Sequence, residues 1–171
     1  MENTLIINKT NIAIFDEFNK YYERAFLICS ILKKIKINIV NSEESLYKKA
    51  SDFCSTDVFA FYLNKTEADA SNTYVEILFN EYLSRKLGLT PQELLAGIAH
   101  EIGHVIFYFR DDKEECKEYE EFISDFYAHQ IGLKIPLVSL LQKLVSFELY
   151  PKEQNESILL RIKHLIYYDN Y

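Results

Sequence analysis

The stretch Thr90-Pro91-Gln92-Glu93-Leu94-Leu95-Ala96-Gly97-Ile98-Ala99-His100-Glu101-Ile102-Gly103-His104 decides how this chain is read. Thr90 offers a capping hydroxyl, Pro91 a first helical residue that needs no amide hydrogen, and Glu93 a carboxylate able to reach back to the cap. A helix should therefore start at about Pro91. Its apolar residues, from Leu94 and Leu95 through Ile98, Ile102, Val105 and Ile106 to Phe109, recur too densely for a solvated helix. The charged run from Arg110 to Glu115 should end it. Gly97 and Gly103 lie inside, where each costs about 1 kcal/mol relative to alanine, so a close backbone neighbour is suggested.

On that helix His100 and His104 are four residues apart and stack on one face, with Glu101 reaching the same cleft from the side. The HExxH spacing reads as a two-histidine zinc clamp with a built-in base. A catalytic zinc usually takes three protein ligands and leaves one position for water, so a third ligand must come from elsewhere. A metzincin would continue HExxHxxGxxH, but the matching positions are Phe107 and Arg110. The next segment, Lys113 to Ile131, reads as another helix, on which Glu121 and Asp125 share a face. Glu121 is favoured as the ligand over Glu118 and Glu120 because an aspartate follows it one turn later. Asp125 could then accept a hydrogen bond from the outer nitrogen of a metal-bound histidine. His129 and Cys116 are also capable of binding metal.

An HExxH helix followed by a helix bearing ExxxD resembles the gluzincin clan of zinc peptidases. The stretch from Leu89 to His104 is similar to HtpX-like and prenyl-protease-like members, which show a Leu-Ser/Thr-x-x-Glu-Leu-x-Ala lead into Ala-His-Glu-Leu-Gly-His. The resemblance spans roughly Tyr74 to Ala128. It implies that His100, His104 and Glu121 bind zinc, that Glu101 is the general base acting on a zinc-bound water, and that Asp125 supports a ligand. Arg161-Ile162-Lys163-His164-Leu165 resembles the late Arg-Ile-x-x-Leu element of these peptidases. The chain departs from the pattern at Ser124, where alanine is usual, and in the sixteen residues between His104 and Glu121, a shorter connection than in the membrane members. It also lacks any run of 18 uncharged apolar residues. The compact spacing is more similar to soluble minigluzincins, or to ImmA/IrrE-type proteins that couple an HExxH site to regulation of a transcription factor.

At 171 residues and 49% hydrophobic, with only four glycines and three prolines, the chain is long enough to bury a core and has little room for linkers. One domain over 1–171 is expected, with an N-terminal helix and strand region at 1–56, a zinc-site core at 57–131 and C-terminal helices at 132–171. A formal charge of -7 disfavours nucleic acid, and Lys33-Lys34-Ile35-Lys36 is too short to offset it. Cys29, Cys54 and Cys116 lack disulfide or CxxC spacing. Met1-Glu2-Asn3-Thr4 has no basic region ahead of an apolar stretch, so a cytoplasmic protein without a membrane span is expected.

Helical spacing predicts helices at about 12–34 and 43–54, and later at 136–147 and 153–168, with Tyr150-Pro151 breaking between the last two. Strands are expected at 35–40, 58–63 and 74–80, the last two as a hairpin whose edge, at 74–80, could pair with an extended peptide. The expected fold is therefore α+β and zincin-like, with a small antiparallel or mixed sheet, an active-site helix, a glutamate helix and a helical C-terminal part. The expected activity is zinc-dependent hydrolysis of peptide or protein substrates. The alternatives are a regulatory zinc-binding module and a latent peptidase whose own tail fills the cleft. The oxyanion donor is left open among Arg161, His164, Tyr167 and Tyr168 in the last helix.

Overall fold

In the computed structural model, residues 6–7, 36–41, 59–64, 74–108 and 112–167 are described, with side chains from Ile77 onward. The described residues are mostly helical, joined to a small sheet. The expected helices at 12–34 and 43–54 lie outside them, as do Cys29, Cys54 and Tyr168.

Four strands, β1 (Ile6–Ile7), β2 (Lys36–Asn41), β3 (Phe59–Asn64) and β4 (Tyr74–Phe79), pair in the order β1-β2-β4-β3. β1 runs parallel to β2 and β2 parallel to β4, while β3 lies antiparallel to β4, so the sheet is mixed. Ile77, Leu78 and Phe79 are all buried although consecutive residues of a strand face opposite sides. Such a continuous apolar run marks a central strand. This corrects the expectation that 74–80 is a free edge, because Tyr74 to Phe79 pairs with β2 on one side and β3 on the other. Among the described residues the edge on that side is β3.

Asn80 stops β4 and caps a helix absent from the sequence reading, α1 (Glu81–Lys86), by accepting the amide of Leu83 at 3.0 Å. Gly88, at φ 60°, turns the chain out of it, a backbone conformation suited to glycine. α2 (Pro91–Tyr108) then starts where its cap predicts and continues to the last described residue before Phe109. The capping box is complete. Glu93 Oε2 accepts the Thr90 amide at 2.6 Å, and Thr90 Oγ1 accepts that of Glu93 at 3.2 Å. Glu93 is only 3% exposed and also accepts bonds from Ser139 at 2.6 Å and Lys143 at 2.7 Å, which pins the start of α2 to a later helix.

The glutamate helix is shorter than expected. Residues 112–116 form turns, Lys117–Tyr119 a single 3-10 turn, and α3 runs only from Glu120 to Gln130. A helix through Lys113 would stack Glu114 on Glu118, a like-charge pair four residues apart. α4 (Lys134–Ser146) and α5 (Lys152–Tyr167) follow, close to their expected limits. α2 is the hub, packed against β3 and β4 on one side and against α3 and α4 on the other, while α5 closes over α3 and α4. One buried cluster joins Ile77 and Phe79 to Leu95, Ile98 and Ile102 of α2 and to Leu137, Leu141 and Ile162 of the last two helices. No helix of the described residues is long and apolar enough to cross a membrane.

Candidate metal centre

Close approach of two helices builds the site. A Cβ added to Gly103 would lie 2.5 Å from Ser124 Cα and 2.9 Å from its carbonyl oxygen, so α2 and α3 touch backbone to backbone at this point. Only glycine permits that contact, which explains Gly103 inside HExxH. Ser124 opposite it is small, and its hydroxyl folds back onto the Glu120 carbonyl at 3.0 Å. The acidic residues at the start of α3 are thereby brought against the imidazoles of α2.

The two Nε2 atoms of His100 and His104 are 3.0 Å apart. Glu121 reaches both, with Oε2 3.5 Å from His100 Nε2 and Oε1 3.5 Å from His104 Nε2. Behind each ring stands another carboxylate: Asp125 Oδ1 is 2.8 Å from His100 Nδ1, and Glu120 Oε1 is 2.8 Å from His104 Nδ1. An ionised carboxylate only accepts, so both Nδ1 atoms carry a hydrogen, and each Nε2, once unprotonated, turns its lone pair to the common centre. Glu101 is buried beside them, and donor atoms of His100, Glu101 and His104 all lie within 4.8 Å of one another.

Arg161 arrives from α5. Its Nε donates to Asp125 Oδ2 at 2.7 Å, Nη2 to Asp125 Oδ1 at 2.6 Å, and Nη1 pairs with Glu121 Oε2 at 2.6 Å. Burial alone would raise the carboxyl groups of Glu121 and Asp125, but the His100 and Arg161 partners outweigh it and hold both below the usual carboxylate range. Burial and the Arg161 charge press His100 down, yet Asp125 and Glu121 lift it to about 9. His104 is lowered, by burial and by its neighbour His100.

Glu101, Glu121 and both histidines open on a cavity of about 340 Å³. Its apolar wall comes from Leu137, Leu141 and Leu144 of α4 and Ile158 of α5, with Tyr150, Gln154 and Ser157 adding polar atoms. The other sequence candidates lie elsewhere. His164 packs its ring at a tilt against Phe122, with centroids 5.1 Å apart, and lines a separate small cavity, and Tyr167 is 72% exposed. His129 borders two other cavities, and Cys116 faces Asp112. Arg161 does line the cavity, but its nitrogens are spent on Asp125 and Glu121, which suits anchoring better than oxyanion binding.

Glu120 was read from sequence only as a competing ligand, whereas its place is behind His104. No local signal could have placed it, because a residue sixteen positions on backs an imidazole only where the two helices cross, and the contact of Gly103 with Ser124 sets that point. No family model, no curated protein and no solved structure matches this chain. Its function is therefore read from this geometry.

Proposed function

We propose that the chain is a zinc-dependent metallopeptidase of zincin-like fold, with His100, His104 and Glu121 as the metal ligands. The observation that carries this reading is the convergence of three residues: the two Nε2 atoms are 3.0 Å apart, and the Glu121 carboxylate sets Oε2 3.5 Å from that of His100 and Oε1 3.5 Å from that of His104. Zinc bound to nitrogen and oxygen at about 2.0–2.1 Å in tetrahedral geometry sets its donors about 3.3 Å apart, so the donor set fits the ion. The two carboxylates behind the imidazoles add the support that metal-bound histidines usually have.

When bound, zinc supplies Lewis acidity that polarises a carbonyl and lowers the pKa of water toward about 7. The chain does the rest. Asp125 and Glu120 fix the tautomer and direction of the imidazoles. Glu101, buried at the same cavity, takes the proton of the attacking water and passes it to the leaving amine. The leucine wall of α4 keeps the reacting groups away from bulk water. A peptide or protein is the substrate this chemistry suits.

The test is Glu101→Gln, which should keep the zinc and the fold and lose hydrolysis of a broad peptide library. Wild-type hydrolysis should stop with a zinc chelator. If wild type and Glu101→Gln are equally inert while both hold zinc, the ImmA/IrrE-like regulatory reading replaces this one. Equal cleavage by both would exclude Glu101 as the base.

A further inference from the structure

We infer that Arg161 is a resident counter-cation, a positioning residue that holds Glu121 and Asp125 in place when no metal is bound, so that the fold does not depend on the metal. The inference rests on the metal-binding reading of His100, His104 and Glu121. Its ground is a charge cluster held by three helices. Glu101 of α2 and Glu120, Glu121 and Asp125 of α3 surround two imidazoles, and α5 inserts a guanidinium among them. Asp125 is 2% exposed and Arg161 8%, while the Glu121 side chain is 47% exposed, so the pair with Asp125 is the one best shielded from water. The guanidinium grips Asp125 with two nitrogens and Glu121 with the third, which a planar fork can do and an ammonium cannot.

A buried carboxylate left without its partner is strongly destabilising, and any cation that enters the cluster relieves it. Arg161 and a divalent metal are thus two sources of the same compensation. Their charges also oppose one another when both are present. If Arg161 carries the carboxylates in the metal-free protein, its loss must make the fold lean on the metal. By linkage, metal binding must then stabilise the variant more than the wild type. An arginine that merely packed α5 against α3 would lose the same stability with or without metal.

The experiment is thermal unfolding of the full chain in chelator and in saturating zinc, for wild type, Arg161→Met, Arg161→Lys and Ile162→Ala. Arg161→Met should melt about 10 °C below wild type in chelator and recover more than half of that loss in zinc, a larger zinc-induced rise than wild type shows. Arg161→Lys keeps the charge without the fork, so it should lose less and respond to zinc as wild type does. Ile162 is buried on the same helix, and Ile162→Ala should lose the same amount in both conditions. Should Arg161→Met fold only in zinc, the inference is supported in its extreme form. It is overturned if wild type responds to zinc and Arg161→Met responds equally or less, or fails to fold even in zinc. If zinc moves neither protein, the metal reading itself fails and the inference falls with it.

Discussion

Gly103→Ala should break the metal centre without touching a ligand. The added Cβ would meet Ser124 Cα at 2.5 Å, where two carbons at optimal contact stand about 3.5–4.0 Å apart, so α3 has to withdraw by about 1 Å. Glu121 sits one turn before Ser124 on the same helix and moves with it, away from imidazoles it now faces at 3.5 Å. Alanine gains about 1 kcal/mol in helix propensity, while forcing an extra carbon into a packed contact costs about 1–3 kcal/mol and more against backbone. The net is a loss of about 1–2 kcal/mol, or a melting point lower by about 2–8 °C in a chain of this length. Zinc affinity, measured by competition with a chromogenic chelator, should fall about 10- to 100-fold, as it does when the supports of a metal site are disturbed. Ser124→Gly in the same chain should not restore it, because the clash is mainly with Ser124 Cα and its carbonyl. A Gly103→Ala protein that binds zinc as tightly as wild type, or a rescue by Ser124→Gly, would refute the claim that this contact sets the ligand geometry.

Three further outcomes are expected. His100→Ala and His104→Ala should each abolish stoichiometric zinc in elemental analysis, while Glu121→Gln should weaken binding more than Glu120→Gln or Asp125→Asn, which act through the histidines; titrations ranking Glu120 first would reverse the ligand assignment. Burial would raise the Glu93 carboxyl, but bonds from Lys143, Ser139 and Thr90 hold it below its ordinary 4.5, so its stabilisation is present above that value and lost as pH falls through the lower folded one. Glu93→Gln should thus cost about 2 kcal/mol near neutral pH and flatten the acid limb of the stability curve, and an unchanged limb in urea melts from pH 5 to 2 would count against it. Removing α5 by truncation after Tyr150 should destabilise the protein and not activate it, since Arg161 and part of the cavity wall leave with the helix; a truncated chain with higher peptidase activity would reinstate the self-inhibited reading.

The parts of the site that were legible in sequence are those carried by local rules. Thr90 and Glu93 announce a capping box, His100 and His104 share a face because a helix repeats at that spacing, and Glu121 and Asp125 do the same on the next helix. What was misread depends on partners remote in sequence. The run Tyr74–Asn80 has the composition of any strand, and only the pairing of β2 with β4 makes it central and not an edge. Asn80 followed by Glu81 is a capping signal, yet it was absorbed into the preceding apolar run, so α1 went unseen. Arg161 was a candidate oxyanion donor because its charge could be read and its neighbours could not. Asp125 lies 36 residues away in the chain, and the helix packing that joins them is a property of the whole fold.

The short connection between the two helices that carry the proposed ligands also has a physical sense. A rigid site needs α2 and α3 at one fixed separation, and backbone contact at Gly103 and Ser124 supplies it at the very turn that carries His100, His104, Glu120 and Glu121. With that separation set by contact, the connection has only to return the chain, and its described part, 112–119, consists of turns and a single 3-10 turn. Orientation within the pair is then assigned to charge: Asp125 and Glu120 aim the imidazoles, and Arg161 aims Asp125 and Glu121. Distance by packing and direction by charge are separable, and the variants above separate them. Gly103→Ala should weaken zinc binding at modest cost to the metal-free fold, whereas Arg161→Met should damage the metal-free fold and leave zinc able to repair it.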